Sequence, residues 1–399
     1  MKIPFFRPSI GEREIEAVTS CLRSGWLTTG QVTRDFESEF AAAVGAKHAV
    51  ALNSCTAALH LALDAIGLQR GDLVLVPTMT FAATAEVVRY FDATPVFIDC
   101  RPDTLCIDPA VVESTLEALD AGRAVAGLQP PYGKVRAIIP MHYAGQIAEV
   151  EAISRIAKAR DLAVIEDAAH SFPAAYRDDS GEWRSVGASA DITCFSFYAN
   201  KCITTGEGGM AVTNSAEYAD RMRLMSLHGM SRDAWQRYTA AGSWYYEVVA
   251  PGFKYNMTDI ASALGRVQLA RADELLRARS EIARDYLELL AGIPGLQLPR
   301  ARADRRHAWH LFPIQLDVKV WRQGRDAVIE QLKERGIGTS VHWQPLHMQP
   351  YYRELFGYQP EQFPVACSLW PKLISLPIYP GLTRPELEFV AETLRALCG

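Results

Sequence analysis

Phe195-Ser196-Phe197-Tyr198-Ala199-Asn200-Lys201-Cys202-Ile203-Thr204-Thr205-Gly206-Glu207-Gly208-Gly209 is the stretch on which the reading of this chain turns. An apolar strand, Ile192–Phe197, delivers a lysine into a turn dense with glycine. A lone loop lysine is usually a solvated surface charge. Here Lys201 lies between an apolar strand and closely spaced glycines, so its setting is constrained. A lysine at a strand end can form a Schiff base when its environment lowers its pKa.

Three more segments bear on the same chemistry. In Val164-Ile165-Glu166-Asp167-Ala168-Ala169-His170-Ser171, Asp167 follows an apolar strand, at the carboxyl end where α/β folds build sites. Alone it reads equally well as a helix cap. Beside Lys201 it reads as a carboxylate that keeps a heterocyclic nitrogen protonated, as pyridoxal phosphate requires. In Asn53-Ser54-Cys55-Thr56-Ala57-Ala58 a strand feeds a helix whose first residues are small and hydroxylated. Free N–H groups at such a start form an anion site, suited to a phosphate. Phe81, in Thr78-Met79-Thr80-Phe81, follows another strand end. An aromatic there could stack on a pyridine ring; in isolation it would be read as core.

Seven strand candidates frame these residues: Lys47–Asn53, Leu73–Val76, Thr94–Cys100, Ala137–Tyr143, Leu162–Asp167, Ile192–Phe197 and Met210–Thr213. Several are near-continuously apolar, which fits a mostly parallel sheet covered on both faces. Helical stretches between them, such as Ala57–Ile66 and Thr80–Tyr90, suit right-handed crossovers. Ser9-Ile10-Gly11-Glu12 reads as a capping box, with Ile15, Val18 and Leu22 following at helical spacing. Gly122–Gly133 reads as an exposed loop. After about residue 255 the pattern changes. Thr258–Arg284 reads as one long helix. His310–Leu316 reads as a strand, and Asp326–Arg335 and Glu386–Leu397 as helices, the last behind a Thr383…Glu386 capping box. The expected fold class is α/β: a large domain over 1–255 and a smaller α+β domain over 256–399.

Composition narrows the partners. The chain has 399 residues, 49% hydrophobic and 22% charged, with 41 Lys+Arg against 46 Asp+Glu. That is an ordinary globular balance. A net charge of −5 carries no basic footprint for nucleic acid. No 18-residue apolar stretch predicts a membrane span. The start is too short an apolar run for a signal peptide, so a cytoplasmic location is the default expectation. The eight cysteines show no CxxC pairing and are expected to be free thiols. His307 and His310 fall at i, i+3, with His342 and His347 downstream, but no carboxylate or thiolate pattern completes a metal set. No metal is expected. Arg232, Trp235 and Arg237 fit either a diphosphate contact or a solvated charged loop.

Taken together, in order and spacing, these segments resemble the DegT/DnrJ family of pyridoxal-phosphate-dependent sugar aminotransferases, on the three-layer aspartate-aminotransferase fold (fold type I). The resemblance spans nearly the whole chain. It also takes in Gly25-Trp26-Leu27-Thr28-Thr29-Gly30 and Met257-Thr258-Asp259-Ile260. It implies that Lys201 carries the cofactor as a Schiff base, that Asp167 pairs with the pyridinium nitrogen and that Phe81 stacks on the ring. Ser196 with Cys55 and Thr56 would bind the phosphate. His170, where many members have Gln, would lie near the ring hydroxyl. Trp26, Thr28, His342 and Arg232 would face the substrate. In this family two subunits share each site, and Gly252-Phe253-Lys254-Tyr255-Asn256 resembles the segment that crosses to the partner's phosphate, through Lys254 or Asn256. The implied reaction is ping-pong transamination from glutamate to a nucleotide-linked 4-keto sugar, UDP-linked in preference, in a homodimer. A keto-cyclitol aminotransferase has the same core residues. A sugar dehydratase of this fold has histidine in place of the lysine, so Lys201 argues against it. A non-catalytic regulator would need a nucleic-acid module, and the sequence offers none.

Overall fold

The computed structural model describes residues 1–230 and 246–398. Arg232, Trp235 and Arg237 lie outside the described residues. Seven strands form the central sheet: β1 (His48–Leu52), β2 (Leu73–Pro77), β3 (Thr94–Ile98), β4 (Val135–Ile138), β5 (Ala163–Asp167), β8 (Ile192–Ser196) and β9 (Gly209–Thr213). A short hairpin, β6 (Ala175–Arg177) and β7 (Trp183–Ser185), precedes β8. The sheet order is β1-β9-β8-β5-β4-β2-β3, parallel except for β9, which runs against both neighbours. All seven expected strands are present.

Burial on both faces explains the near-continuous apolar runs. Alternate residues of one strand enter different cores. Val50 and Leu52 of β1 pack with the helices α3 (Cys55–Ala65) and α4 (Ala82–Arg89). Ala49 and Ala51 pack on the opposite face with Phe36 and Phe40 of α2 (Gln31–Val44). Phe40 meets Phe195 edge-on, their ring centroids 5.0 Å apart. The result is a helix–sheet–helix sandwich of three layers.

Two expectations about helices need correction. First, α1 spans Glu12–Ser24, and its cap is Gly11 rather than Ser9. The Glu14 carboxylate accepts the Gly11 N–H at 3.0 Å. The Ser9 carbonyl is taken instead by the Gln268 side chain at 2.9 Å. Ile15 and Leu22 remain half-exposed on this helix. Second, the long helix is two: α8 (Asp259–Ala270) and α9 (Ala272–Leu289). Arg271 leaves helical geometry at φ −100, ψ 2. Its guanidinium bonds Glu14, Glu274 and the Ser9 carbonyl. The segment is rich in helix formers, so tertiary contacts override propensity. α8 packs on α1 and α2, whereas α9 continues into a second core.

That second core surrounds an antiparallel sheet of β10 (Leu296–Gln297), β12 (Phe312–Leu316) and β13 (Leu373–Leu376). Tyr286 of α9 meets Phe312 there, with Val328 of α10 (Gly324–Glu334) and Val390 of α13 (Arg384–Leu397). The Thr383–Glu386 box caps α13 as expected. Ile3 from the chain start also enters this core and bridges to Ile337. All eight cysteines are free thiols. No described helix is long and apolar enough to cross a membrane.

The Gly25–Gly30 and Met257–Ile260 motifs, far apart in sequence, meet at Asp259. Its buried Oδ1 accepts the Gly30 N–H at 2.7 Å, the Thr33 N–H at 3.0 Å and the Thr33 hydroxyl at 2.6 Å. A Cβ at Gly30 would stand 2.6 Å from the Asp259 carboxylate and 2.3 Å from the Trp26 indole nitrogen. Removing this carboxylate strands the buried donors of Gly30 and Thr33. Asp259→Ala is therefore expected to lower unfolding stability by about 2–4 kcal/mol, read from the midpoint of urea denaturation at constant m-value.

Candidate active site

β5 and β8 are parallel neighbours, with Asp167 in register with Cys194. Their carboxyl ends therefore open at the same edge of the sheet. β5 ends in Asp167. β8 ends in Ser196 and runs into the loop that carries Lys201. That loop closes on itself: the Phe197 N–H reaches the Gly208 carbonyl at 2.9 Å, the Thr205 N–H reaches the Phe197 carbonyl at 3.0 Å, and the Lys201 N–H reaches the Tyr198 carbonyl at 2.9 Å. Gly206 sits at φ +81, where a side chain would strain the turn. A Cβ on Gly209 would lie 2.5 Å from the Cys55 nitrogen, so glycine lets β9 approach the start of α3.

A cavity of about 370 Å³ lies at this edge. The structure brings eight of the expected residues around it: Cys55, Thr56, Phe81, Asp167, His170, Ser196, Lys201 and His342. Ser54 caps α3, its hydroxyl accepting the Ala57 N–H at 3.1 Å, and the first turn of the helix faces the cavity. The Cys55 thiol turns to the Cys194 carbonyl at 3.5 Å, and burial raises its pKa far above the ordinary value. It is a small neutral neighbour. Phe81 caps α4 and keeps an exposed ring 6.3 Å from Trp343. His170 accepts the Ala144 N–H at 3.2 Å and stacks on Trp343 with centroids 5.1 Å apart. Burial holds His170 neutral, far below the usual histidine range.

Enclosure tunes the two ionisable groups at the centre. Surrounding protein lowers the Lys201 pKa to about 8, against the pull of Asp167 and neighbouring thiols. Burial pushes the Asp167 carboxyl up, opposed by hydrogen bonds from the Thr84 hydroxyl at 2.7 Å and the Ala169 N–H at 3.1 Å. Burial likewise pushes His342 down to about 4, and its Nδ1 pairs with the Ser375 hydroxyl at 2.8 Å.

Four expected residues gather elsewhere. Lys254 Nζ donates to Asn256 Oδ1 at 2.6 Å, and the Asn256 amide donates to the Thr29 hydroxyl at 2.6 Å. The Trp26 indole donates to the Thr29 carbonyl at 3.3 Å, and the Thr28 carbonyl accepts the Asp259 N–H at 3.3 Å. This patch touches Asn53, next to the start of α3, but does not line the cavity. Of the four histidines weighed for metal, His310 and His342 line the cavity and the other two lie elsewhere. His307 accepts the Trp309 N–H, and His347 pairs with the Thr78 hydroxyl at 2.6 Å.

Sequence reading did not assign Thr84, Asn200 or Trp343 to the site, and it weighed His310, which lies on the cavity wall, only among the candidate metal ligands. Asn200 Oδ1 is buried without a hydrogen-bond partner among the described residues and lies on the cavity wall. It stands one residue before Lys201, and that adjacency was the available signal. An anion-binding helix start with a serine hydroxyl, a lysine of lowered pKa, a buried carboxylate and a flat aromatic form a donor set that fits pyridoxal phosphate.

Comparison with known proteins agrees. The model of the DegT/DnrJ/EryC1/StrS aminotransferase family matches residues 8–395. The chain belongs to that family. The family is pyridoxal-phosphate-dependent. The chain is 45% identical over 394 residues to the spore coat polysaccharide biosynthesis protein SpsC of Bacillus subtilis (strain 168), covering 98% of this chain and 96% of that protein. The putative sugar aminotransferase Spr1654 of Streptococcus pneumoniae, solved in PMP and PLP forms, is 31% identical with a TM-score of 0.88. In the PMP form the match covers 100% of this chain and 98% of that one. Helicobacter pylori PseC, an aminotransferase involved in the biosynthesis of pseudoaminic acid, is 28% identical with a TM-score of 0.87, covering 100% of this chain and 99% of that one.

The lowered pKa has a measurable consequence. In cofactor-free protein, the rate of reductive methylation at Lys201, followed by peptide mass spectrometry, is expected to rise with a midpoint near pH 8. A midpoint at the ordinary 10.5 contradicts the enclosure described. The sign for stability follows: between those two values the unfolded chain binds more protons at this lysine, so its contribution to stability rises with pH.

Proposed function

We propose that this protein is a sugar aminotransferase that takes its amino group from glutamate and delivers it to the carbonyl of a nucleotide-linked 4-keto sugar, with UDP-linked sugars favoured. The observation that carries the reading is the convergence of Lys201, Asp167 and the start of α3 on one cavity. The kinship to SpsC, named for spore coat polysaccharide biosynthesis, and to PseC, an aminotransferase of pseudoaminic acid biosynthesis, supports a sugar substrate.

Each residue has a part in this reading. The N–H groups of Cys55 and Thr56, with the Ser196 hydroxyl, hold the cofactor's phosphate. Asp167 holds the pyridine nitrogen protonated. Phe81 would stack on the ring, and His170 would lie near its hydroxyl. When bound, pyridoxal phosphate supplies an electron sink for the charge left at the substrate carbon. Lys201 Nζ moves the proton, as base and then as acid, and its lowered pKa suits it to both directions near neutral pH. His342 and Trp343 line the same cavity and would face the sugar. Lys254 and Asn256, which do not line this chain's own cavity, would complete the site of a second subunit in a cytoplasmic homodimer.

The test supplies pyridoxal phosphate, glutamate and a panel of UDP- and dTDP-linked 4-keto sugars, and measures 2-oxoglutarate and amino sugar by mass spectrometry. Amination of at least one nucleotide-linked ketone is expected. Turnover should fall by about 10³-fold or more in Lys201→Ala. Amination of a keto-cyclitol alone would replace the nucleotide-sugar reading with a cyclitol one, and near-normal turnover in the variant would overturn the mechanism.

A further inference from the structure

Thr84 sits in the first turn of α4, three residues after Phe81. Its hydroxyl donates to Asp167 Oδ2 at 2.7 Å, across 83 residues of sequence. The Thr80 hydroxyl lies 2.7 Å from that of Thr84. Neither threonine is exposed. The direction of this chain is fixed by proton counting. An ionised carboxylate only accepts, so the single Thr84 proton points at Asp167. With that proton committed, the Thr80–Thr84 bond has Thr80 as donor. With the carboxylate charged, the chain therefore runs Thr80 to Thr84 to Asp167, and it favours that charged form.

The surroundings make this support necessary. Burial disfavours charge on Asp167. Against it stand the Thr84 hydroxyl, the Ala169 N–H and the charge of Lys201. The two hydrogen bonds take one oxygen each, which fixes the plane of the carboxylate. The same helix that presents Phe81 at its cap thus also orients the acid.

We propose that Thr84, relayed by Thr80, is a positioning residue that keeps Asp167 ionised and aimed at the cofactor's ring nitrogen. This rests on the reading of Asp167 as the partner of that nitrogen. A purely packing role would affect any ligand of this shape; the relay affects only one that carries the nitrogen.

The test measures equilibrium binding to the full chain of pyridoxamine 5′-phosphate and of its 1-deaza analogue, in which C–H replaces the ring nitrogen. The wild-type chain is expected to prefer the nitrogen-bearing ligand. Thr84→Val, nearly isosteric, should weaken that ligand by about tenfold or more, as expected for one hydrogen bond to a charged group, and leave the deaza analogue unchanged. Thr84→Ser should restore the preference. Thr80→Val, one step further from the acid, should give a smaller loss of the same selectivity. Equal weakening of both ligands in Thr84→Val, or weakening of neither, overturns the inference while leaving the role of Asp167 intact. A wild-type chain with no preference between the two ligands overturns the reading of Asp167, and the relay with it.

Discussion

Asp167 and Cys194 face one another in the parallel pairing of β5 with β8, and most of the site depends on that register. It brings the end of one strand, with its acid, beside the end of the next, which leads to Ser196 and Lys201. A slip of one residue would turn every side chain of a strand to the other face of the sheet. Burial on both faces resists such a slip, since Ile192 and Cys194 belong to one core and Phe195 and Phe197 to the other. The chemistry is thus held by hydrophobic packing of the sheet that carries it.

The same enclosure that holds these residues also sets their reactivity. Surrounded by protein, Lys201 loses part of its preference for charge and Asp167 is pushed toward neutrality. Each opposes the shift in the other by attraction. The further hydrogen bonds are unequally shared: Asp167 receives Thr84 and the Ala169 N–H, which favour its charged form. One carboxylate is thereby supported as an anion, while the nearby amine is brought within reach of both protonation states near neutral pH.

A second constraint joins the two parts of the chain. Asp259 ties the segment around Trp26 and Thr28 to the start of α8, and Arg271 breaks the helical run so that α9 enters the smaller core. Buried Arg279 of α9 then bonds the carbonyls of Trp309 and Ile378 at 3.1 and 3.0 Å. These contacts place His310 against His170, with centroids 4.2 Å apart. The C-terminal part of the chain therefore supplies one wall of the cavity through His310, His342 and Trp343.

The strands were legible in the local sequence, because burial on both faces leaves uninterrupted apolar runs. Lys201, Asp167 and the Ser54–Thr56 helix start were legible too, because each lies at or within a few residues of a strand end and carries a residue type with a narrow chemical use. Tertiary structure alone decided which distant groups join them. Thr84 looks like any helical threonine until its hydroxyl meets Asp167, and His310 and Trp343 reach the site only through the packing of the C-terminal part of the chain. It also decided that Lys254 and Asn256 stand apart from this chain's cavity, and that a run of good helix formers turns at Arg271. Local periodicity reports burial and conformation over one element. Contacts across a hundred or more residues depend on how the elements pack, and no local pattern encodes them.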